Sequence, residues 1–254
     1  MRVIAALDES DAGRAVLDVA VVLATRIAAD VVAVHARDVE HPQALHRVRR
    51  IAAARGVRVS IIDGRVVPVI VRLLSADDVA YGVIGVRSRQ KGKRPAGHVA
   101  VAVASAVATP IVVTPPGASV ADIRRLLVPL EGTPEDAAAL ADVVARLTAA
   151  GVHVVPLHVF TPATVPSYWD QPHHAAPAWS AGFLSRFGPA TVENLWLRSG
   201  DVADALLEVI ASASIDLVAL AWSQNLTGGH APVVRALLAR SPVPVLLVPV
   251  RPPL

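Results

Sequence analysis

The chain has no cysteine, which excludes disulfides, thiol nucleophiles and cysteine-ligated zinc. Aromatic residues are scarce, at 4% of 254, so the core has to be built from aliphatic side chains. Ala and Val dominate, which suits Val-rich parallel strands covered by helices. Charged residues make up only 18%, against 54% hydrophobic. That balance excludes a disordered chain and supplies one large core or two ordinary ones. No uncharged apolar run approaches the roughly 18 residues of a membrane span. Met1-Arg-Val-Ile-Ala-Ala-Leu-Asp8 reaches an acid too early for a signal peptide. No membrane association and a cytoplasmic location are expected. The net charge is only +3. Its excess is split between Arg47–Arg58 and Arg87–Arg94, so no continuous basic stripe for nucleic acid forms. Catalytic signatures are missing too: there is no Gly-x-Ser-x-Gly elbow, Gly-x4-Gly-Lys-Ser/Thr loop or His-Glu-x-x-His helix. No residue is nominated as catalytic.

What is present is a strand-like run, Val79 to Val86, followed by the basic stretch Gly85-Val-Arg-Ser-Arg-Gln-Lys-Gly-Lys-Arg-Pro-Ala-Gly-His98 and a helix-length run, Val99 to Ala108. A strand, a basic Gly-containing loop and a helix start form a setting for an anion, because backbone N–H groups and the helix dipole converge there. Around it the chain alternates. Strands are expected at Arg2–Leu7, Val31–His35, Val57–Ile62, Val79–Val86 and Ile111–Thr114. Helices are expected at Ala15–Ala29, with Ser10 as N-cap, at His41–Arg55, closed by Gly56, and at Val66–Ser75 and Val99–Ala108. The order βαβαβαβαβ implies a parallel sheet covered on both faces.

Pro115-Pro-Gly-Ala-Ser119 interrupts the pattern, which then restarts. Strands are expected at Arg125–Leu130, Val152–His158, Val192–Leu197, Asp216–Trp222 and Val243–Val250. Helices are expected at 134–150, with Thr133 as N-cap and Pro134 at N1, and at Ala178–Phe187, Asp201–Ala213 and Pro232–Arg240. Phe160 to Pro177 reads as a long irregular segment, and Thr161 to Pro177, with Tyr168, Trp169 and Trp179, as a lid or a partner surface. The spacing supports a repeat: Asp8 and Glu131 are 123 positions apart, as are His35 and His158. Two copies of a five-stranded unit fit better than one ten-stranded sheet. The division expected is residues 1–115, a linker at 116–122, and residues 123–254. The apolar last strand needs a cover. Ile111–Thr114 paired with Val243–Val250 would supply one, as an intramolecular pseudo-dimer or a dimer of tandem chains. His173 and His174 sit beside Asp170, but adjacent histidines on a loop rarely face one metal, and no metal site is expected.

Several stretches resemble universal stress protein domains: Leu127-Val-Pro-Leu-Glu-Gly-Thr-Pro-Glu-Asp-Ala-Ala-Ala-Leu140, Ser199-Gly-Asp-Val-Ala-Asp-Ala-Leu-Leu-Glu-Val209 with Ile215-Asp-Leu-Val218, and Ser241-Pro-Val-Pro-Val-Leu-Leu-Val-Pro249. The first copy has matching pieces in Ala6-Leu-Asp8, Ala76-Asp-Asp-Val79, Ile84-Gly85 and Thr109-Pro-Ile-Val-Val113. The resemblance implies tandem Rossmann-like units of strand order 3-2-1-4-5, of the adenine nucleotide alpha hydrolase-like type. It also implies a stress-response regulator or sensor, with ATP or a related adenine nucleotide, with Mg²⁺, as the possible ligand of the first copy. Carried over, the binding residues are Asp8, His35, Ala36, Gly85, Ser88, Gly97, His98 and Thr114. Ser88 stands where the family has its second motif Gly, and His98 where it has a hydroxyl. In the second copy Ala221-Trp222-Ser223 replaces the first Gly segment and the loop is shorter and uncharged, so that site is expected to be degenerate, with Trp222 filling it. The competing readings are a nucleotide-independent scaffold for an unknown protein partner and a weak ATP hydrolase.

Overall fold

The computed structural model describes residues 1–37, 42–86, 98–165, 172–189, 192, 194–225 and 231–250. The first half runs β1 (Arg2–Ala6), α1 (Asp11–Arg26), β2 (Asp30–Arg37), α2 (Pro42–Ala53), β3 (Val59–Asp63), α3 (Val66–Leu74), β4 (Val79–Gly85), α4 (His98–Ala104) and β5 (Ile111–Thr114). The second half repeats it as β6 (Arg125–Pro129), α5 (Pro134–Ala149), β7 (His153–Phe160), α6 (Pro172–Phe187), β8 (Trp196–Ser199), α7 (Val202–Ser212), β9 (Leu217–Trp222), α8 (Pro232–Arg240) and β10 (Val245–Pro249).

The ten strands form one sheet in the order β3-β2-β1-β4-β5-β10-β9-β6-β7-β8. Each half is parallel and has the order 3-2-1-4-5. The two meet where β5 and β10 pair antiparallel, Val113 opposite Val245, Val112 opposite Leu246 and Ile111 opposite Leu247. The choice between two five-stranded units and one ten-stranded sheet therefore resolves into both, because the two apolar edge strands cover each other.

The repeat extends to single bonds. His35 Nδ1 lies 2.8 Å from the Leu7 carbonyl, and His158 Nδ1 lies 2.8 Å from the Leu130 carbonyl. Gly82 N–H donates to Pro110 O at 3.0 Å, and Val218 N–H donates to Pro244 O at 3.1 Å. Strand alternation sends Val3, Ala5 and Leu7 to one face, with α1 and α5, and Ile4 to the other. The first apolar layer runs unbroken through both halves: Leu17, Val83, Val112, Leu246 and Leu140 belong to one cluster.

Local expectations hold in part. Thr133 caps α5 by accepting from Asp136 N–H at 3.2 Å. Gly56 takes φ +65° just past α2, the left-handed stop that its sequence position suggests. Ser10 sits at the N-cap of α1 but accepts no helix N–H. Instead its hydroxyl and N–H both donate to Asp8 Oδ1, at 2.5 and 3.0 Å. The largest correction is α6, which begins at Pro172 and contains Pro177, where the sequence suggests an irregular segment up to Pro177. Pro177 is the sixth residue of the helix, past the first turn, so the helix forfeits one backbone hydrogen bond there. Trp179, Phe183 and Phe187, spaced four apart, anchor the helix beyond it.

Outside the seam the halves are joined by side chains. Arg26, at the end of α1, grips Asp122 with Nε (2.8 Å) and Nη2. Its Nη1 reaches the Ala150 carbonyl at 3.4 Å. Gln224, after β9, donates Nε2 to the carbonyls of Ala104 and Val107, at 2.8 and 2.7 Å, beyond the seam. The hydrogen bonds from Arg26 and Arg124 hold the Asp122 carboxyl down at about 2, from an ordinary 3.8. A depressed carboxylate stabilises above its unfolded value and loses that contribution as pH falls. Asp122→Asn is therefore expected to be less stable than wild type at pH 7, with the gap closing between about pH 4 and pH 2. Urea unfolding at a series of pH values checks this; a gap independent of pH refutes it.

Candidate functional site

Strand order reverses between β1 and β4, since α1 carries the chain to β2 on one side while β4 returns on the other. In open parallel sheets ligands settle outside the carboxyl ends of the strands at such a switch point. A cavity of about 370 Å³ lies there. It is lined by the ends of β1 (Asp8, Glu9), β2 (His35, Ala36, Arg37) and β4 (Gly85), with His98 at the start of α4. α2 and α3 close its apolar side with Leu45 and Ile70.

Five of the eight residues nominated from sequence therefore converge: Asp8, His35, Ala36, Gly85 and His98. Thr114 does not line the cavity. It is fully buried opposite Gly85, and its hydroxyl has no partner among the described residues. Ser88 and Gly97, with the basic loop between them, lie outside the described residues, as do Tyr168 and Trp169.

The roles can be read atom by atom. Because the Leu7 carbonyl can only accept, Nδ1 of His35 carries the proton, and Nε2 is left as the ring's acceptor. His35 is only 8% exposed, so this orientation is fixed. Asp8 spends Oδ1 on the turn into α1. Gly13, which sequence reasoning missed, permits that turn: a Cβ there would stand 2.5 Å from the Asp8 carbonyl oxygen. Gly85 has a packing reason of its own. A Cβ would press on Val16 Cγ2 at 3.1 Å and Ala12 Cβ at 3.2 Å, so the glycine lets α1 lie close to β4.

The counterpart histidine of the second half is packed among aromatic rings. The His158 ring is surrounded by Phe160 (centroids 4.9 Å), Trp179 (5.1 Å) and Phe183 (4.7 Å). Trp179 stacks on Phe183 at 4.8 Å, and Phe183 lies against Gly132, where a Cβ would come within 2.9 Å of its ring. Burial holds the His158 imidazole below its ordinary 6.5, opposed by its bond to Leu130. The rings around His158 come from β7 and α6. Trp222, expected from sequence to fill the site, is 3% exposed beside Leu220, in the apolar layer whose first-half members Ile70, Ile84 and Val99 line the cavity, and its Nε1 has no partner among the described residues.

Comparison with known proteins points one way. Residues 122–249 match the family model described as the universal stress protein family. No curated protein matches the chain in sequence. Among solved structures, a functionally unknown protein from Pseudomonas aeruginosa PAO1 is similar over 98% of this chain and 92% of its own, at 11% identity and TM-score 0.71. A universal stress protein from Archaeoglobus fulgidus DSM 4304 is similar over 98% of both chains, at 12% identity and TM-score 0.67. A universal stress protein in complex with cAMP aligns with 52% of this chain and 100% of its own, at 18% identity and TM-score 0.39.

Proposed function

Because the chain belongs to the universal stress protein family, we propose that it is a stress-response regulator whose first half, residues 1–115, senses an adenine nucleotide. The second half, residues 123–254 beyond the linker at 116–122, is a filled and structural copy. The observation that carries this reading is the cavity at the switch point of the first half, which brings Asp8, His35, Ala36, Gly85 and His98 together. Its volume of about 370 Å³ falls within the span of small-molecule sites, roughly 300–1,000 Å³. The Asp8 carboxylate suits ribose hydroxyls. His35 Nε2 and the Ala36 backbone suit the edge of a base. Gly85 and His98 would lie at the phosphate end, Ser88 and Gly97 are candidates by sequence position alone, and Mg²⁺ would accompany a polyphosphate.

Isothermal titration of the full chain with ATP, AMP and cAMP in turn tests the proposal. One nucleotide per chain is expected, and at 100 times its dissociation constant it should add about 2.7 kcal/mol to stability. Asp8→Asn keeps an acceptor for Ser10 but removes the charge, and should weaken binding about tenfold. Two nucleotides per chain would refute the filled second half. No binding and no thermal shift would leave a scaffold for a protein partner. Phosphate release that disappears in Asp8→Asn would mark a hydrolase.

A further inference from the structure

α1 and α5 lie on the same face of the joined sheet, and the two pseudo-equivalent seams beneath them differ. Where α5 passes the N-terminal ends of β4 and β5, an open cleft of about 970 Å³ is lined by Tyr81, Asp77, Glu135, Asp142 and Arg146. The internal repeat identifies the matching positions at the other seam: Leu217 for Tyr81, Ala12 for Glu135, Val19 for Asp142 and Leu23 for Arg146. Those four are apolar and buried, with Leu217, Val19 and Leu23 at 0% exposure and Ala12 at 4%. One seam is dry. The other carries charge and space at the same positions, although the first shows that an apolar solution packs there.

Tyr81 is the second observation. It is 1% exposed and lines the cleft, yet its hydroxyl makes no hydrogen bond to any described residue. Its ring is buried while the residue borders the cleft, where its hydroxyl is open to a ligand. Burial pushes this phenol up to about 12, so it remains protonated. The Arg146 guanidinium lies 5.9 Å from its ring centroid. Asp77, Glu135 and Asp142 form no ion pair with any described residue, whereas Asp78 at the same rim is held by Arg2 at 2.6 Å. With Asp78 paired to Arg2, the three carboxylates of Asp77, Glu135 and Asp142 outnumber the Arg146 guanidinium and the Met1 amine by one, which favours a cation. Among the described residues no group of three suitable side chains could hold a metal ion. Glu135 and Asp142, two helical turns apart on one face of α5, are separated by about 10 Å, the arrangement that suits charges spread along a chain.

We propose that this cleft binds a linear polyamine, with Glu135 and Asp142 pairing with successive ammonium groups and the Tyr81 oxygen accepting an N–H between them. Titration calorimetry of the full chain with spermidine at low ionic strength tests it. One saturable site is expected. Asp142→Asn and Glu135→Gln, both at exposed positions, should each weaken it about tenfold with an unchanged melting temperature. Tyr81→Phe should weaken it several-fold. Should that variant fold poorly, the two carboxylate variants decide alone. The absence of saturable heat at millimolar spermidine overturns the proposal, and so does an affinity unchanged in both carboxylate variants.

Discussion

Leu246→Asp is expected to lower the unfolding free energy by about 5 kcal/mol or more and to abolish a single cooperative transition. Leu246 is 0% exposed and stands between Val112 on β5 and Ala219 on β9, each also at 0%. The substitution removes a fully buried aliphatic side chain, and it places a carboxylate in a layer where no described group can pair with it. Such uncompensated burial lies at the extreme of single-residue effects. Since whole domains are stable by only about 5–15 kcal/mol, the variant should be unfolded, or should unfold in two steps as the halves part. Leu246→Met, which conserves volume, should cost less than about 1.5 kcal/mol. Urea melts followed by circular dichroism distinguish the two. A wild-type transition in Leu246→Asp would mean that the joined sheet does not hold the chain together.

The second large effect is expected at Phe183. This ring is 4% exposed and packs on His158, Trp179 and Gly132 at once. Phe183→Ala should cost about 3–5 kcal/mol, the transfer term plus the void left behind. It should also change the pH response. A buried imidazole held below 6.5 destabilises the wild type as pH drops under that value, because the unfolded chain then takes up the proton more readily. With the ring gone, water reaches His158, its titration moves back toward the ordinary value, and the acid-side loss becomes shallower. Melting temperatures between pH 5 and pH 8 report this slope. The same variant should admit a small aromatic molecule such as indole to the second half, detectable as a thermal shift absent from wild type. An unaltered pH slope would mean that Phe183 does not shield His158.

Much of the fold is legible in the chain itself, because punctuation and periodicity carry it. Pro115-Pro-Gly117 interrupts the chain, Thr133-Pro134 starts a helix, and the spacing of His35 and His158 reveals the repeat. The buried strands stand out as Val-rich runs. The site is partly legible for the same reason: strand ends are easy to locate, and a parallel sheet gathers them. What escapes are features set by contact across the fold. Pro177 looks like a stop, yet three rings at helical spacing beyond it outweigh the single bond it forfeits. Gly13 has no distinguishing neighbours in sequence, and only the 2.5 Å approach to the Asp8 carbonyl shows why no larger residue fits. Ser10 has the right type for a cap, but the nearer carboxylate takes its hydroxyl. The cleft beside Tyr81 needs both halves in register, and one half's pattern does not contain it.

The antiparallel pairing of β5 with β10 inside a single polypeptide has a consequence for how the two halves can differ. In a dimer of identical units, every substitution appears twice, and a residue that closes one pocket closes its mate. Covalent joining lifts that constraint while keeping the shared sheet. His35 can border an open cavity while His158, its image 123 positions on, lies beneath Trp179 and Phe183. Tyr81 can border an open cleft while its image Leu217 is sealed. If the two openings bind as proposed, each titrates as a single site, and because both halves share one peptide chain, dilution cannot part them.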